Sequence, residues 1–218
     1  MKKKIGIFVL GAALAAIAVP AALTVAGCSV RSMILSEERP RYFVLSSDVN
    51  AAGAENALPI VVFSRIVIPS YLDVPQIVTR DGNAIARSEM NRWGESLSRA
   101  VSRELAFRTA DALANSEKPE NSGSAEGAGT PAAAGTRVLV VFDRFDGTLG
   151  GDVELSAVYT LTPPDSGAEA GISKLFKTTV PVPEPNDCDA YVRALDVSLD
   201  ALARDIAAEL KKFDAKKS

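Results

Sequence analysis

Residues 137–161, RVLVVFDRFDGTLGGDVELSAVYTL, predict a β-hairpin around which the rest of the chain can be arranged. The first arm is rich in Val and Phe, and the second alternates apolar with polar side chains, as expected for a strand with one buried face. Gly150 and Gly151 lie between the arms and can adopt the positive φ that a tight turn requires. We therefore expect one strand over residues 137–145. The alternating apolar positions of the next strand are Val153, Leu155, Ala157, Tyr159 and Leu161.

Further β-branched segments lie on both sides of this hairpin and are bounded by Pro, Gly, Asn or Asp. They predict strands over residues 41–46, 60–69, 76–80 (with an extension to residue 86) and 172–182.

Two segments show the apolar spacing of a helix instead. The first runs from about residue 88 to 113, with apolar residues every four positions at Trp93, Leu97, Val101 and Leu105. The second runs from about residue 190 to 213, with an apolar stripe at Leu195, Leu199, Leu202, Ile206, Leu210 and Phe213. The order is then βββα-βββα. It predicts an α+β fold, a two-layer sandwich of a mainly antiparallel sheet with both helices on one face, over residues 41–214.

Composition excludes several function classes. The 218 residues carry 24 basic and 27 acidic side chains, with a formal charge of −3 and no histidine. An acidic chain is a poor ligand for nucleic acid, which requires clustered cations. Without histidine there is no Ser-His-Asp triad and no His-based zinc site. We expect no enzyme activity, no catalytic residue, no metal site and no cofactor.

The N-terminus is typical of an export signal. Three lysines at positions 2–4 precede an almost purely apolar segment, residues 5–26, which is followed by Gly27, Cys28 and Ser29. Small residues before a cysteine resemble the lipobox of bacterial lipoproteins, which predicts cleavage between Gly27 and Cys28 and acylation of Cys28. Residues 1–27 are then a signal peptide, although an uncleaved membrane anchor is the alternative. Ser29, where an aspartate would favour inner-membrane retention, indicates the outer membrane.

The expected anchor is followed by a short tether, residues 28–40. Twelve residues separate Cys28 from Arg41. Fully extended, they reach about 40 Å, at roughly 3.3 Å per residue. The domain must therefore remain close to its own membrane.

A second segment without large apolar residues covers residues 115–136 and is composed of small and polar residues. Such a composition cannot offset the entropy lost on ordering. We expect a disordered surface insert.

Residues 67–80, VIPSYLDVPQIVTR, and 91–97, NRWGESL, resemble the ABC-type transport auxiliary lipoprotein family. That family includes the C components of the paraquat-inducible Pqi systems, with a pattern close to VP-x-YLDRPQIV-x-R and then RWAEPL. This chain has Val74 for the usual arginine, Gly94 for alanine and Ser96 for proline. The opening YFVL of residues 42–45 and the run from Asp189 are similar as well.

The resemblance implies a non-enzymatic role. Members of this family work with ABC permeases and with membrane proteins that carry MCE domains, moving lipids between the inner and outer membranes. The expected partners are therefore an MCE-domain protein, its permease and ABC components, and the outer membrane through the acyl chains. Two alternatives remain open: a structural or assembly lipoprotein that contacts no lipid, and a periplasmic solute-binding module.

Five residues of the similar segment are candidates for docking a partner or a further copy of the chain. Tyr71, Leu72 and Asp73 form a bend between prolines, and Gln76 and Arg80 lie four residues apart on the next strand, hence on one face. The alternative is that Tyr71 and Leu72 fold back on the core while Asp73 caps local amides.

Other conspicuous residues have simpler explanations. Trp93 is expected in the core at the start of the first helix, with Arg92 and Glu95 paired across it. Cys188 is expected to be buried near a strand-to-helix junction. The lysines at 211, 212, 216 and 217 suit a helix C-terminus. The acids near the hairpin turn do not have the spacing of a calcium loop and are expected to be solvated: Asp143, Asp146, Asp152 and Glu154.

Overall fold

The computed structural model describes residues 39–46, 61–115, 135–164 and 171–215. The expected signal peptide, its cleavage site, Cys28 and nearly all of the tether lie outside the described residues. So does most of the expected insert, of which only Asn115, Gly135 and Thr136 are described. Two helices and seven strands in the described residues confirm the predicted α+β fold.

The seven strands form two sheets where one was expected. The three-stranded sheet has the order β1-β4-β3, and the four-stranded sheet has the order β2-β5-β6-β7. The strands are β1 (Arg41–Phe43), β2 (Val62–Val67), β3 (Gln76–Asp81), β4 (Ala84–Trp93), β5 (Arg137–Gly147), β6 (Asp152–Thr162) and β7 (Ile172–Pro181). The pairs β1/β4 and β2/β5 are parallel, and the other three are antiparallel.

The predicted start of the first helix is wrong. Residues 84–93 form β4, which returns antiparallel to β3 after a turn at Gly82, where φ is 57°. Helix α1 (Leu97–Asn115) begins only after Trp93. The prediction extended the helix too far back because Trp93 lies four residues before Leu97 and both are buried, which imitates helical spacing although Trp93 is on a strand. The chain therefore has four strands before α1, and the predicted repeat of two βββα halves is wrong in this detail.

The second half follows the prediction closely. The hairpin of β5 and β6 pairs residues 137–147 with residues 152–162, and Gly150 in its loop has a φ of 75°. Helix α2 (Cys188–Ala215) buries the predicted leucines and Ile206. It packs against α1, β6 and β7, while α1 contacts β2.

The core lies between the helices and the four-stranded sheet. Its largest fully buried side chains include Tyr159 and Phe145 from the hairpin and Leu199, Leu202 and Ile206 from α2. At roughly 1.5–3 kcal/mol for each large apolar side chain, burial of this cluster is the main stabilising contribution. The smaller sheet adds Trp93 and Ile77 to the same core. In the described part of the chain, no helix is long and apolar enough to cross a membrane.

Candidate functional site

The bend at residues 69–75 is an ordered turn attached to the core. The backbone amide of Leu72 donates to the carbonyl of Pro69 at 3.0 Å, and the Leu72 side chain is 2% exposed. Tyr71 is half-buried, while Ser70, Asp73 and Pro75 are exposed. The bend therefore presents its small and polar residues and buries its large ones.

Tyr71 and Arg80, two of the predicted docking residues, meet at the buried carboxylate of Asp146. The hydroxyl of Tyr71 donates to Oδ2 of Asp146 at 2.6 Å. Nε of Arg80 lies 3.0 Å from both carboxylate oxygens of Asp146. Nη2 of Arg80 donates to the Tyr71 hydroxyl at 2.9 Å. The Arg80 guanidinium also lies 5.3 Å from the centre of the Tyr71 ring. Both side chains are therefore occupied with internal partners.

We call Tyr71, Arg80, Arg144, Asp146 and Glu154 the Asp146 cluster. Arg144 donates to Oδ1 of Asp146 at 3.3 Å and forms an ion pair with Glu154 on the neighbouring strand. The Asp146 side chain is fully buried, whereas those of Arg80 and Arg144 are 20% and 32% exposed.

The expectation that Asp146 is a solvated turn acid is wrong, because β3 and the bend cover the end of β5. Asp143 and Asp152 are exposed, as expected.

The charges of the cluster fix its protonation. Burial by itself raises the pKa of Asp146, but hydrogen bonds from Arg80 and Tyr71 and the charges of Arg80 and Arg144 outweigh it, so that the pKa lies below its usual value. Burial, together with the bond to Asp146, raises the pKa of Tyr71. At neutral pH, Asp146 is therefore a carboxylate and Tyr71 a neutral phenol.

A second set of bonds ties β3 to the same hairpin. The buried hydroxyl of Tyr191, on α2, donates to the carbonyl of Val78 at 2.8 Å and accepts from the amide of Gly147 at 3.0 Å. The hydroxyl of Thr148 donates to the carbonyl of Arg80 at 2.7 Å. Since β3 is held by both side chains and backbone, the bend that precedes it has a fixed position.

Asp73 fixes the other side of the bend by capping α1. Its Oδ1 accepts from the amide of Ser98 at 3.2 Å and from the hydroxyl of Ser96 at 3.1 Å. The first amides of a helix have no partner within the helix, so a carboxylate at this end is stabilising. Asp73 therefore caps a helical amide that lies 25 residues later in the chain.

Replacing Asp73 with alanine is expected to destabilise the domain moderately. Loss of an N-terminal cap costs about 1 kcal/mol, which corresponds to a fall in Tm of roughly 2–4 °C in a domain of this size. Thermal unfolding measures the change, and Asp81→Ala, at an exposed acid on β3, is the matched control. Equal Tm values for the two variants would contradict the capping role.

Gln76 lies apart from Arg80, in a different environment. The β3/β4 register shifts between Gln76 and Val78, and Ile77 and Val78 are both buried, so simple alternation does not relate Gln76 to Arg80. The expectation of a shared face for these two residues therefore fails at the irregularity.

Gln76 instead belongs to a row of three cross-strand neighbours. It is opposite Arg92 on β4, and Arg92 is opposite Tyr42 on β1. The next pair along, Phe43 and Trp93, is buried, so the row lies on the outer face of the smaller sheet. Tyr42 is 67% exposed. Sequence reasoning did not place Tyr42 and Arg92 side by side on one face. The alternation of Tyr42 and Val44 with Phe43 and Leu45 was a usable signal for the exposure of Tyr42.

Two expectations about the start of α1 have different outcomes. Trp93 is buried at 7% exposure, as predicted, but on β4. The predicted pair of Arg92 with Glu95 is wrong, because Glu95 pairs with Arg103 at 2.6 Å. Arg92 donates through Nε to the carbonyl of Glu89 at 3.4 Å.

A buried polar contact between the helices was not predicted. Arg108 on α1, only 4% exposed, donates to the carbonyl of Asp196 and to its carboxylate, both at 2.6 Å. Glu104 pairs with Arg108 at 3.4 Å and with Arg103 at 3.2 Å. Burial raises the pKa of Asp196 to about 6 despite Arg108, so this pair forms against a desolvation cost. It fixes the register of α1 on α2.

Cys188 is a free, buried thiol at the first residue of α2, as predicted, and burial raises its pKa to about 11.

Lys212 pairs with Glu209 in the last turns of α2. Within the residues that the structure describes, no three metal-ligating side chains come together.

Comparison with known proteins assigns the family. A sequence model of the ABC-type transport auxiliary lipoprotein component family matches residues 43–207. A solved structure of an uncharacterized protein is similar in fold, with a TM-score of 0.57, 16% identity, and coverage of 79% of this chain and 99% of the other. A Xanthomonas campestris structure has a TM-score of 0.50 and 14% identity, covering 82% of this chain and 97% of the other.

A search of curated proteins finds no match. The two structural likenesses support the fold alone, because their identities are low. The family match spans both sheets and both helices, from Phe43 in β1 to Ala207 in α2. By that match, this chain belongs to the family of ABC-type transport auxiliary lipoprotein components.

Proposed function

We propose that the protein is an outer-membrane lipoprotein and a non-enzymatic auxiliary component of an ABC/MCE-type system that moves lipids between the inner and outer membranes. The observation that carries the proposal is the family match over residues 43–207, preceded by a lipobox sequence that ends at Cys28. Lipoproteins of this type carry three acyl chains at the modified cysteine. Two or more acyl chains give stable attachment, so acylation at Cys28 would anchor the domain permanently.

The short tether limits what such a protein can reach. Twelve residues between Cys28 and Arg41 span about 40 Å at most. Transport between membranes then requires a partner that crosses the periplasm and comes to the lipoprotein. An MCE-domain assembly, together with its permease, is the partner that we propose.

The bend at residues 69–75 is the proposed docking surface. The bond from Tyr71 to Asp146 and the bond from the amide of Ser98 to Asp73 hold it from two sides. A loop ordered before binding loses little conformational entropy on association, so its contacts contribute more fully to affinity. Tyr71 and Arg80 support the surface from inside, while Ser70, Asp73 and Pro75 are available for contact.

Photocrosslinking in intact cells tests this docking. A photoreactive amino acid is placed in the full-length protein at Ser70, and Lys177, exposed on β7, is the matched control position. We expect crosslinks to an MCE-domain protein from Ser70 and none from Lys177.

Other products would change the assignment. Adducts only between copies of the chain would make the bend an oligomerisation surface. Adducts only to an unrelated envelope protein would favour the structural or assembly alternative. Absence of all adducts from a protein that is folded and located in the outer membrane would contradict docking through the bend.

A further inference from the structure

The outer face of the three-stranded sheet is amphipathic. We call its residues Tyr42, Val44, Gln76 and Arg92 the Tyr42 face. Tyr42, Arg92 and Gln76 are cross-strand neighbours. Val44 lies beside them and packs over Gly94, because a Cβ added at this glycine would be only 3.2 Å from Cγ1 of Val44. Tyr42 and Val44 are 67% and 53% exposed. Exposed aromatic and branched side chains beside a cation are characteristic of a contact surface.

We propose that the Tyr42 face lies on the phospholipid headgroups of the membrane that carries the acyl anchor. This inference rests on the proposed function, because it requires acylation at Cys28. It adds a contact between the folded domain and the membrane to the covalent attachment.

The chemistry of the face fits a headgroup layer. Tyrosine has an apolar ring and a polar hydroxyl and is favoured at membrane interfaces. Arg92 is half-buried, and within the described residues no carboxylate forms an ion pair with its guanidinium. Such a guanidinium can bind a phosphate through two parallel hydrogen bonds. Gln76 adds an amide that can bond to phosphate or ester oxygens.

The position of the face along the chain selects the membrane over other partners. Tyr42 follows the expected acylation site by 14 residues. A random-coil chain of twelve residues has a root-mean-square length of about 20 Å, little more than the radius of gyration of about 16 Å expected for a domain of this size. The edge formed by β1 is therefore held near the membrane. A short tether gives an effective concentration in the millimolar range, so even a weak contact is populated.

Crosslinking to labelled lipid tests this contact in the full-length protein. Cells are grown with radioactive phosphate, and a benzophenone amino acid replaces Tyr42 or, as the matched control, Leu175, which is 57% exposed on β7. After irradiation, the protein is purified under denaturing conditions and counted. The acyl anchor contains no phosphorus, so that label on the protein reports a crosslinked phospholipid.

We expect at least fivefold more label at Tyr42 than at Leu175. Adding Arg92→Gln to the Tyr42 variant should lower the label about twofold, because the phosphate ligand is lost. Equal label at the two positions, or protein adducts at Tyr42 without label, would overturn the proposal. Fractionation of the same cells separates this result from the proposed function: location in another membrane contradicts the function, whereas an anchored protein without label at Tyr42 contradicts only the lipid contact.

Discussion

Replacing Asp146 with asparagine is expected to lower the free energy of unfolding by about 2–4 kcal/mol. Removing the Asp146 charge leaves the guanidinium of Arg80 without its carboxylate, whereas Arg144 keeps its ion pair with Glu154. The partial exposure of Arg80 and Arg144 also reduces the penalty below that of a fully buried pair. The corresponding fall in Tm is roughly 5–15 °C. Thermal or urea unfolding measures it, with Asp143→Asn, an exposed acid on the same strand, as the matched control.

The same variant should change the acid limb of stability. The pKa of Asp146 is lower in the folded protein than its usual value of 3.8. Its contribution is therefore fully present above about pH 4 and is lost as the pH falls through the lower folded value. Asp146→Asn should remove that part of the decline. An Asp146→Asn protein as stable as Asp143→Asn, with the same acid limb as the wild type, would show that the cluster contributes nothing.

Replacing Cys28 with alanine is expected to abolish acylation and to leave an unprocessed precursor in the inner membrane. The thiol of Cys28 is the only acceptor that the lipobox offers, so no partial activity is expected. Labelling with radioactive palmitate and separation of the two membranes measure the effect.

Cys188→Ala is the matched control, because that thiol is buried in α2 and should not affect labelling. Palmitate on the Cys28→Ala protein at the wild-type level would contradict the lipoprotein assignment. An unlabelled wild-type protein would contradict it equally.

Local patterns predicted the parts of the fold that depend on near neighbours. Alternation from Val153 to Leu161 and the glycine at 150 were sufficient for the β5–β6 hairpin, and the leucine stripe was sufficient for α2. The division into two sheets was not predictable in this way. It depends on the parallel pairs β1/β4 and β2/β5, which join strands far apart in sequence. The predicted start of α1 was too early because Trp93, a buried strand residue, continues the four-residue apolar spacing of the helix.

The candidate site shows the same limit. The bend at residues 69–75 was recognisable from its prolines and its family likeness. The partner that holds it was not, because Asp146 lies 75 residues after Tyr71 and 66 after Arg80. An aspartate near a glycine turn is normally solvated. Only the packing of β3 against the end of β5 makes Asp146 a buried acceptor of hydrogen bonds. Tyr42 and Arg92 were missed for the equivalent reason, since a parallel ladder brings them together.

The parallel pairing of β1 with β4 determines how the domain would bear a mechanical load. A pull applied to the chain before Arg41, along the strand, is transmitted through β1, whose bonds to β4 run across that direction. Those bonds are loaded in shear and must fail together, whereas a perpendicular pull would open them one at a time. The ion pair of Arg41 with Asp189, at 2.7 Å, passes part of the load to the first turn of α2. Survival under tension is then governed by the rate of unfolding. If a partner pulled on the anchored domain, the force would thus be resisted by a strand of only three residues, fixed at one end to α2, the longer of the two described helices.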